Sequence, residues 1–154
     1  MTPAINAANK AKIHYHIHEY QHDPDNQAFG LEAVEKLNLN AAQVFKTLVT
    51  QLDNGKLAVA VVPVSDKLNL KQFAKACGAK KAAMADKQDV QRSSGYVLGG
   101  VSPLGQKKAL MTVVDISARQ FDAIYVSAGR RGLEIELSPD DLVKLTRGTF
   151  ADIK

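Results

Sequence analysis

The chain has a single cysteine, Cys77. No internal disulfide can form, and a reducing cytoplasm is the expected compartment. Long apolar runs are also missing. The longest, Leu57 to Val64, is broken by Pro63 and is far too short to cross a bilayer, so no membrane partner is expected. Met1 to Lys12 is polar and lacks an apolar core, so a signal peptide is not expected there. There is no Gly-x-Ser-x-Gly elbow for a serine nucleophile and no Gly-x4-Gly-Lys-Ser/Thr loop for a nucleotide. No linker, internal repeat or low-complexity stretch interrupts the chain.

What remains is a sequence of globular type. Its 154 residues suit one domain spanning 1–154, with enough chain to bury a core without staples. Hydrophobic residues make up 45% and charged residues 23%, a balance typical of soluble domains. The net charge of +4 is unevenly spread. Residues 67–131 carry twelve Lys/Arg against four Asp/Glu, whereas the rest carries eight against twelve. A basic middle suits a polyanion such as RNA, and it equally suits a lysine-rich solvated surface.

Local signals divide the chain into alternating elements. Thr2-Pro3 starts a helix that runs to about Lys12. His14 to Tyr20 alternates as a strand, and His22 to Asn26 is a loop. Leu31, Val34 and Leu37 mark a helix, and Asn40 caps one further turn through Gln43. Val44 to Leu52 and Leu57 to Val64 read as strands. Asp53-Asn54-Gly55 joins them into an antiparallel hairpin in which Asn-Gly supplies the positive φ angles. Leu70, Phe73, Ala74 and Cys77 form one face of a helix stopped by Gly78, with Lys67, Lys71 and Lys75 on another face. Lys81 to Ala85 is a short strand, and Asp86 caps a helix to Ser94. Tyr96 to Val101 reads as a strand, followed by a loop to Lys108. Met111 to Ile116 and Ala123 to Ser127 read as strands with a short helical segment between them. Gly129 to Gly132 is a tight turn, and Leu133 to Leu137 returns. Ser138-Pro139 opens a last helix that ends near Gly148. Two of these connections are too short to cross over a sheet. The expected fold is therefore α/β, a single domain with a mixed, curved, barrel-like β-sheet surrounded by helices.

Four features could carry chemistry. All four histidines, His14, His16, His18 and His22, fall within nine residues. Three of them would share a strand face with neighbours roughly 6.5–7 Å apart, a spacing that can chelate zinc or simply face water. No further histidine exists to complete a site, and no metal is expected. Lys46 sits among apolar and β-branched neighbours, so it must reach water, find an acid or enter a pocket. An edge-strand lysine that blocks aggregation is the other reading. Gly99-Gly100-Val101-Ser102-Pro103, running on to Lys107-Lys108, offers close backbone approach to an oxyanion or phosphate, or is only a turn. Ser127 and Glu134 flank the last hairpin, where serine suits a pocket donor better than a nucleophile. Cys77, on an apolar helix face, reads as core.

These strings resemble a known family. Val44-Phe45-Lys46-Thr47-Leu48, Gly99 to Lys108, Ile124-Tyr125-Val126-Ser127 and Gly132 to Leu137 occur in the order found in the YbaK/EbsC family. That family includes the editing domain inserted into bacterial prolyl-tRNA synthetases. The resemblance implies a cofactor-free aminoacyl-tRNA deacylase that hydrolyses Cys-tRNA(Pro) in trans, in a ternary complex with prolyl-tRNA synthetase. It implies that Lys46 positions the tRNA 3′ end. It also implies that Gly99, Gly100, Val101, Ser102 and Pro103 lie against the scissile ester, and that Tyr20 and Ser127 line the substrate pocket. Glu134 stands where a close relative has aspartate, with the charge kept and the arm longer. The mechanism it implies is attack by the substrate's own thiol on its carbonyl, which asks the protein only to orient the thiol and stabilise an oxyanion. The rival readings are editing of another misacylated tRNA such as Ala-tRNA(Pro), a non-catalytic RNA-binding module, and a metal-dependent hydrolase built on His14, His16 and His18.

Overall fold

Local chemistry starts most of the helices. In this computed structural model, which describes residues 1–154, Thr2 accepts from the Ile5 N–H and opens α1 (Pro3–Ala11). Asn69 accepts from Gln72 and opens α3 (Leu70–Ala76), and Asp86 accepts from Asp89 to open α4 (Lys87–Ser94). Ser138 accepts from Asp141 to open α5 (Pro139–Thr146), which begins with proline. α2 (Phe29–Lys36) has no such cap. It is held instead by the buried Glu32 within it.

Eight strands form two sheets. β1 (Tyr15–Glu19), β7 (Leu133–Leu137) and β6 (Ile124–Arg130) make an antiparallel three-stranded sheet in the order β1-β7-β6. The second sheet has the order β4-β2-β3-β5-β8, from β2 (Phe45–Leu52), β3 (Leu57–Pro63), β4 (Ala82–Met84), β5 (Met111–Asp115) and β8 (Thr149–Ala151). It is mixed: β2 pairs antiparallel with β3 and β4, whereas β3–β5 and β5–β8 are parallel. β3 lies at its centre and divides two cores. Val59 and Val61 enter the larger one, between the sheets and α1, while Ala58, Ala60 and Val62 enter the smaller one beside Phe73 of α3. That two-sided burial is why β3 reads as a continuous apolar run.

Several expectations need correction. The sheet does not close into a barrel. The two sheets touch through one parallel bridge, Val44 to Tyr125, and then separate. Tyr96 to Val101 is not a strand. Gly99 takes φ +88°, Gly100 N–H donates to Val97 O at 3.0 Å, and the Tyr96 hydroxyl donates to Leu104 O at 2.6 Å. The segment therefore folds on itself. In the β2–β3 hairpin only Gly55 adopts positive φ (86°). Gly55 N–H donates to Leu52 O and Leu52 N–H to Lys56 O, a three-residue loop with a glycine bulge rather than a two-residue turn. β6 runs on to Arg130 through a bulge between Ser127 and Arg130, so the turn shrinks to Arg131 and Gly132. β8 is a further strand, three residues long, that completes the edge beside β5.

Candidate active site

The failure to close creates the site. β3 pairs with β2 along its whole length, but on its other edge β2 meets only the bridge at Val44, β4 from Thr50 to Leu52, and the Ala85 N–H, which donates to Val49 O at 3.1 Å. The β6 bulge turns that strand away just beyond the bridge, as bulges do. Between Val44 and Val49 the edge of β2 is left open. A cavity of about 340 Å³ enters this seam.

Register then determines which side chains face it. Bridged residues point to the same side of a sheet, and alternation carries that side two residues on. Val44 bridges Tyr125, so Lys46 and Ser127 share a face. Ser127 pairs with Glu134, and Glu134 pairs with His18. One row therefore runs His18, Glu134, Ser127 and Lys46 across both sheets. Lys46, Ser127 and Glu134 line the cavity with Tyr20, Gly99 and Val101. Phe45, Thr47 and Val49 lie on the opposite face of β2 yet also border the cavity, because the seam passes through the sheet. The Thr47 hydroxyl is buried there without a partner.

The lining is cationic. Lys46 is half-buried, and burial holds its ammonium below the usual lysine range. Asp66 opposes that shift and Lys67 adds to it. Asp66 is paired with Lys154 at 3.3 Å, and Lys46 has no carboxylate within ion-pair distance. Arg130 and Arg131 also line the cavity without a carboxylate partner. Glu134 does not offset them. It is 7% exposed, and burial pushes its carboxyl up to about 8, so it is mostly protonated at neutral pH. The Tyr20 hydroxyl is pushed up to about 12, by burial first and by Glu134 second. Ser127 Oγ accepts from Gly129 N–H at 3.1 Å and shapes the bulge.

The glycine loop is packed by an arginine. Arg131 lies over the Phe29 ring at 4.1 Å, and its Nη2 donates to Leu98 O at 3.0 Å. A Cβ on Gly99 would sit 2.6 Å from Arg131 Nε and 2.9 Å from the Phe29 ring, and one on Gly100 would sit 2.8 Å from Arg130 Cα. Both glycines allow the loop to lie directly on the β6–β7 hairpin. Gly99 and Val101 reach the cavity, while Gly100, Ser102 and Pro103 are buried behind them. Ser102 Oγ accepts from Leu104 N–H at 3.2 Å and its carbonyl accepts from Gln106, so this serine holds the loop's shape. Phe29, Thr47, Arg130 and Arg131 escaped the sequence reading. Arg131 reads as a turn residue, which it is, and nothing local points to its partner in α2.

The histidines have other partners. His14 and His16 are exposed and meet edge-on at 4.9 Å between ring centroids. His18 Nε2 is 2.8 Å from Glu136 Oε1. His22 Nδ1 is 2.5 Å from Glu32 Oε1, whose carboxylate also accepts from Asp23 N–H and Lys36. No three His, Cys, Asp or Glu side chains converge in a metal-holding group. Cys77 packs against the smaller core, and burial raises its thiol.

Fold and site together define an α/β protein with a cationic pocket at a sheet seam, lined by a neutral carboxyl and by no cysteine or histidine. Residues 26–145 match the family described as the aminoacyl-tRNA editing domain. The chain belongs to that family, in keeping with the YbaK/EbsC resemblance. EbsC of Enterococcus faecalis (strain ATCC 700802 / V583), named as a candidate Cys-tRNA(Pro)/Cys-tRNA(Cys) deacylase, is 40% identical over 153 residues, 99% of this chain and 92% of that one. The proline–tRNA ligase of Shouchella clausii (strain KSM-K16) is 30% identical over 101 residues, 66% of this chain and 18% of the ligase. A crystal structure described as a candidate trans-editing enzyme for prolyl-tRNA synthetase shares the fold. Its TM-score is 0.86 at 22% identity, over 99% of this chain and 94% of that one. No helix is long and apolar enough to cross a membrane.

Proposed function

We propose that the chain, acting as one editing domain over residues 1–154, hydrolyses Cys-tRNA(Pro) in trans, in the cytoplasm and in a ternary complex with prolyl-tRNA synthetase. The carrying observation is the row of Lys46, Ser127 and Glu134 facing one cavity in a chain of the editing family. Lys46 holds the anionic 3′ end of the tRNA. Tyr20, Ser127 and the protonated Glu134 contact the aminoacyl group as neutral hydrogen-bonding groups. The Gly99-to-Pro103 loop lies against the ester, with the backbone at Gly99 and Val101 nearest the developing oxyanion and Gly100, Ser102 and Pro103 supporting it from behind.

The lining has no cysteine or histidine, and the carboxyl that pairs across from Ser127, Glu134, is mostly protonated at neutral pH and so is a poor base. The proposed chemistry needs none. The cysteinyl sulfur attacks its own ester carbonyl carbon, and the bond from that carbon to the ribose oxygen breaks. The thiol proton ends on the ribose oxygen, so free tRNA and a cyclic thiolactone leave. Orientation of a reacting pair can supply about 7–11 kcal/mol. Proline and cysteine are similar in size, so a synthetase pocket separates them poorly and a second site is useful.

The test is deacylation of Cys-tRNA(Pro) and Ala-tRNA(Pro), side by side, by wild type and Lys46→Ala, with and without a chelator. Chelator-insensitive loss of cysteine alone, abolished in the mutant and yielding thiolactone, is the expected result. Cleavage of both substrates would move the reading to a broader editor. Cleavage of neither would leave an RNA-binding module.

A further inference from the structure

The cavity mouth carries an unusual combination. Large apolar side chains stand exposed there: Met84 is 50% exposed and Leu98 43%, and both line the cavity. Val97, next to Leu98, is 61% exposed. These side chains are not on a loose loop. Gly100 N–H closes a turn onto Val97 O, and Arg131 holds Leu98 O at 3.0 Å. Exposed apolar groups presented on a fixed turn mark a contact surface. At the same mouth Arg130 and Arg131 carry charges that no carboxylate neutralises.

We infer that Met84, Val97 and Leu98 seat the unpaired nucleotides that precede the ester-bearing one, with Arg130 and Arg131 facing their phosphates. The inference rests on the aminoacyl-tRNA reading above and adds a second subsite to it. Two arguments favour single-stranded RNA as the occupant. The cavity, at about 340 Å³, lies near the small end of ligand pockets, room for an aminoacyl ester and little more. The adjoining nucleotides must therefore lie outside it, at the mouth. Apolar faces interleaved with arginines that no carboxylate neutralises also match what such a strand presents, flat bases alternating with phosphates. A protein partner without a matching acidic patch would cover the apolar turn and leave the arginines without anions.

The experiment needs no catalysis. Binding of an uncharged single-stranded RNA ending in CCA is measured by fluorescence anisotropy. A second RNA lacks the two bases before the terminal adenosine. Wild type and Val97→Ser are compared, and Val97 lies outside the cavity lining. Removing the bases is expected to weaken wild-type binding roughly three- to tenfold. Val97→Ser should cost a similar factor with the full RNA and almost nothing with the base-less one. Equal losses on both RNAs, or no loss, would overturn the inference, as would a Val97→Ser defect seen only when prolyl-tRNA synthetase is added. Failure of ester cleavage with this pattern intact would sink the deacylase reading and leave the seat standing.

Discussion

The guanidinium of Arg131 lies over the ring of Phe29, with its carbon 4.1 Å from the ring centroid, and joins residues 102 positions apart. The same guanidinium reaches Leu98 O, so α2, the glycine loop and the β6–β7 turn are held at one point. Gly99 makes that possible, at φ +88° and with no side chain between Arg131 and Phe29. Gly99→Ala would add left-handed strain of roughly 1–2 kcal/mol and a clash with both partners. The expected outcome is a Tm lowered by roughly 2–8 °C and deacylation slowed on the order of 100-fold, because the loop shifts against the seam. Thermal melting and single-turnover cleavage check it. Unchanged turnover would separate the loop from the chemistry.

Glu134 gives a pH prediction with a definite sign. Its folded carboxyl titrates near 8, raised by burial from 4.5. Between those values the folded chain binds more protons than the unfolded one, so stability falls as pH rises through that window. Glu134→Gln keeps the shape and stays neutral. Its Tm should exceed that of wild type at pH 8 and approach it near pH 5. If the neutral carboxyl is the working form, wild-type cleavage should decline above about pH 8, while Glu134→Gln stays active there. Loss of activity in Glu134→Gln at pH 7 would show that the carboxylate does the work.

What the sequence revealed and what it hid divide along sequence separation. Thr2-Pro3, Asp86 and Ser138-Pro139 announce helices because a cap bonds three residues away. Asp53-Asn54-Gly55 announces a hairpin for the same local reason, although the loop it forms is a bulged one. Lys46 stood out because a lysine inside an apolar strand needs an explanation. The seam could not be read this way. It depends on Val44 meeting Tyr125 and on β6 then bending at its bulge, and neither leaves a local signature. Arg131 and Phe29 are hidden for that reason, and the apolar pattern of Tyr96 to Val101 imitates a strand that the fold does not form. β8, at three residues, is too short for periodicity to register.

The pocket wall from Tyr20 to Gly30 should be acid-sensitive. Glu32 is almost fully buried, and burial opposes its charge. The bonds from His22, Asp23 N–H and Lys36 outweigh that, so its carboxyl titrates below the usual range. A depressed carboxyl contributes stability that is present above the unfolded value of 4.5 and is lost as pH falls through the folded one. Hydrogen exchange across residues 20–37 should therefore accelerate below pH 4.5 before the β2–β3 core opens. Glu32→Gln should mimic this at neutral pH, at a cost of roughly 3 kcal/mol. Uniform exchange across the chain would show that Glu32 is no local latch.

Lys46 ties stability to function most directly. Burial lowers its ammonium and no carboxylate compensates within ion-pair reach, so the charge is held at a cost to the fold. Just below the usual lysine titration the unfolded chain binds more protons than the folded one, so stability rises with pH across that window. Below it the cost is felt in full. Lys46→Met keeps the aliphatic stem and removes the charge. It should raise Tm at pH 7 and flatten the alkaline rise in stability, while slowing deacylation by roughly 100- to 1000-fold, the size of a lost charge-stabilising donor. Lys46→Arg keeps the charge on a wider head and should retain RNA binding with reduced turnover. Melting curves at pH 7 and pH 10, beside single-turnover cleavage, separate these effects. A Lys46→Met protein that is both less stable and fully active would make the lysine an ordinary edge-strand residue and would require another cation of the seam, Arg130 or Arg131, to hold the RNA end.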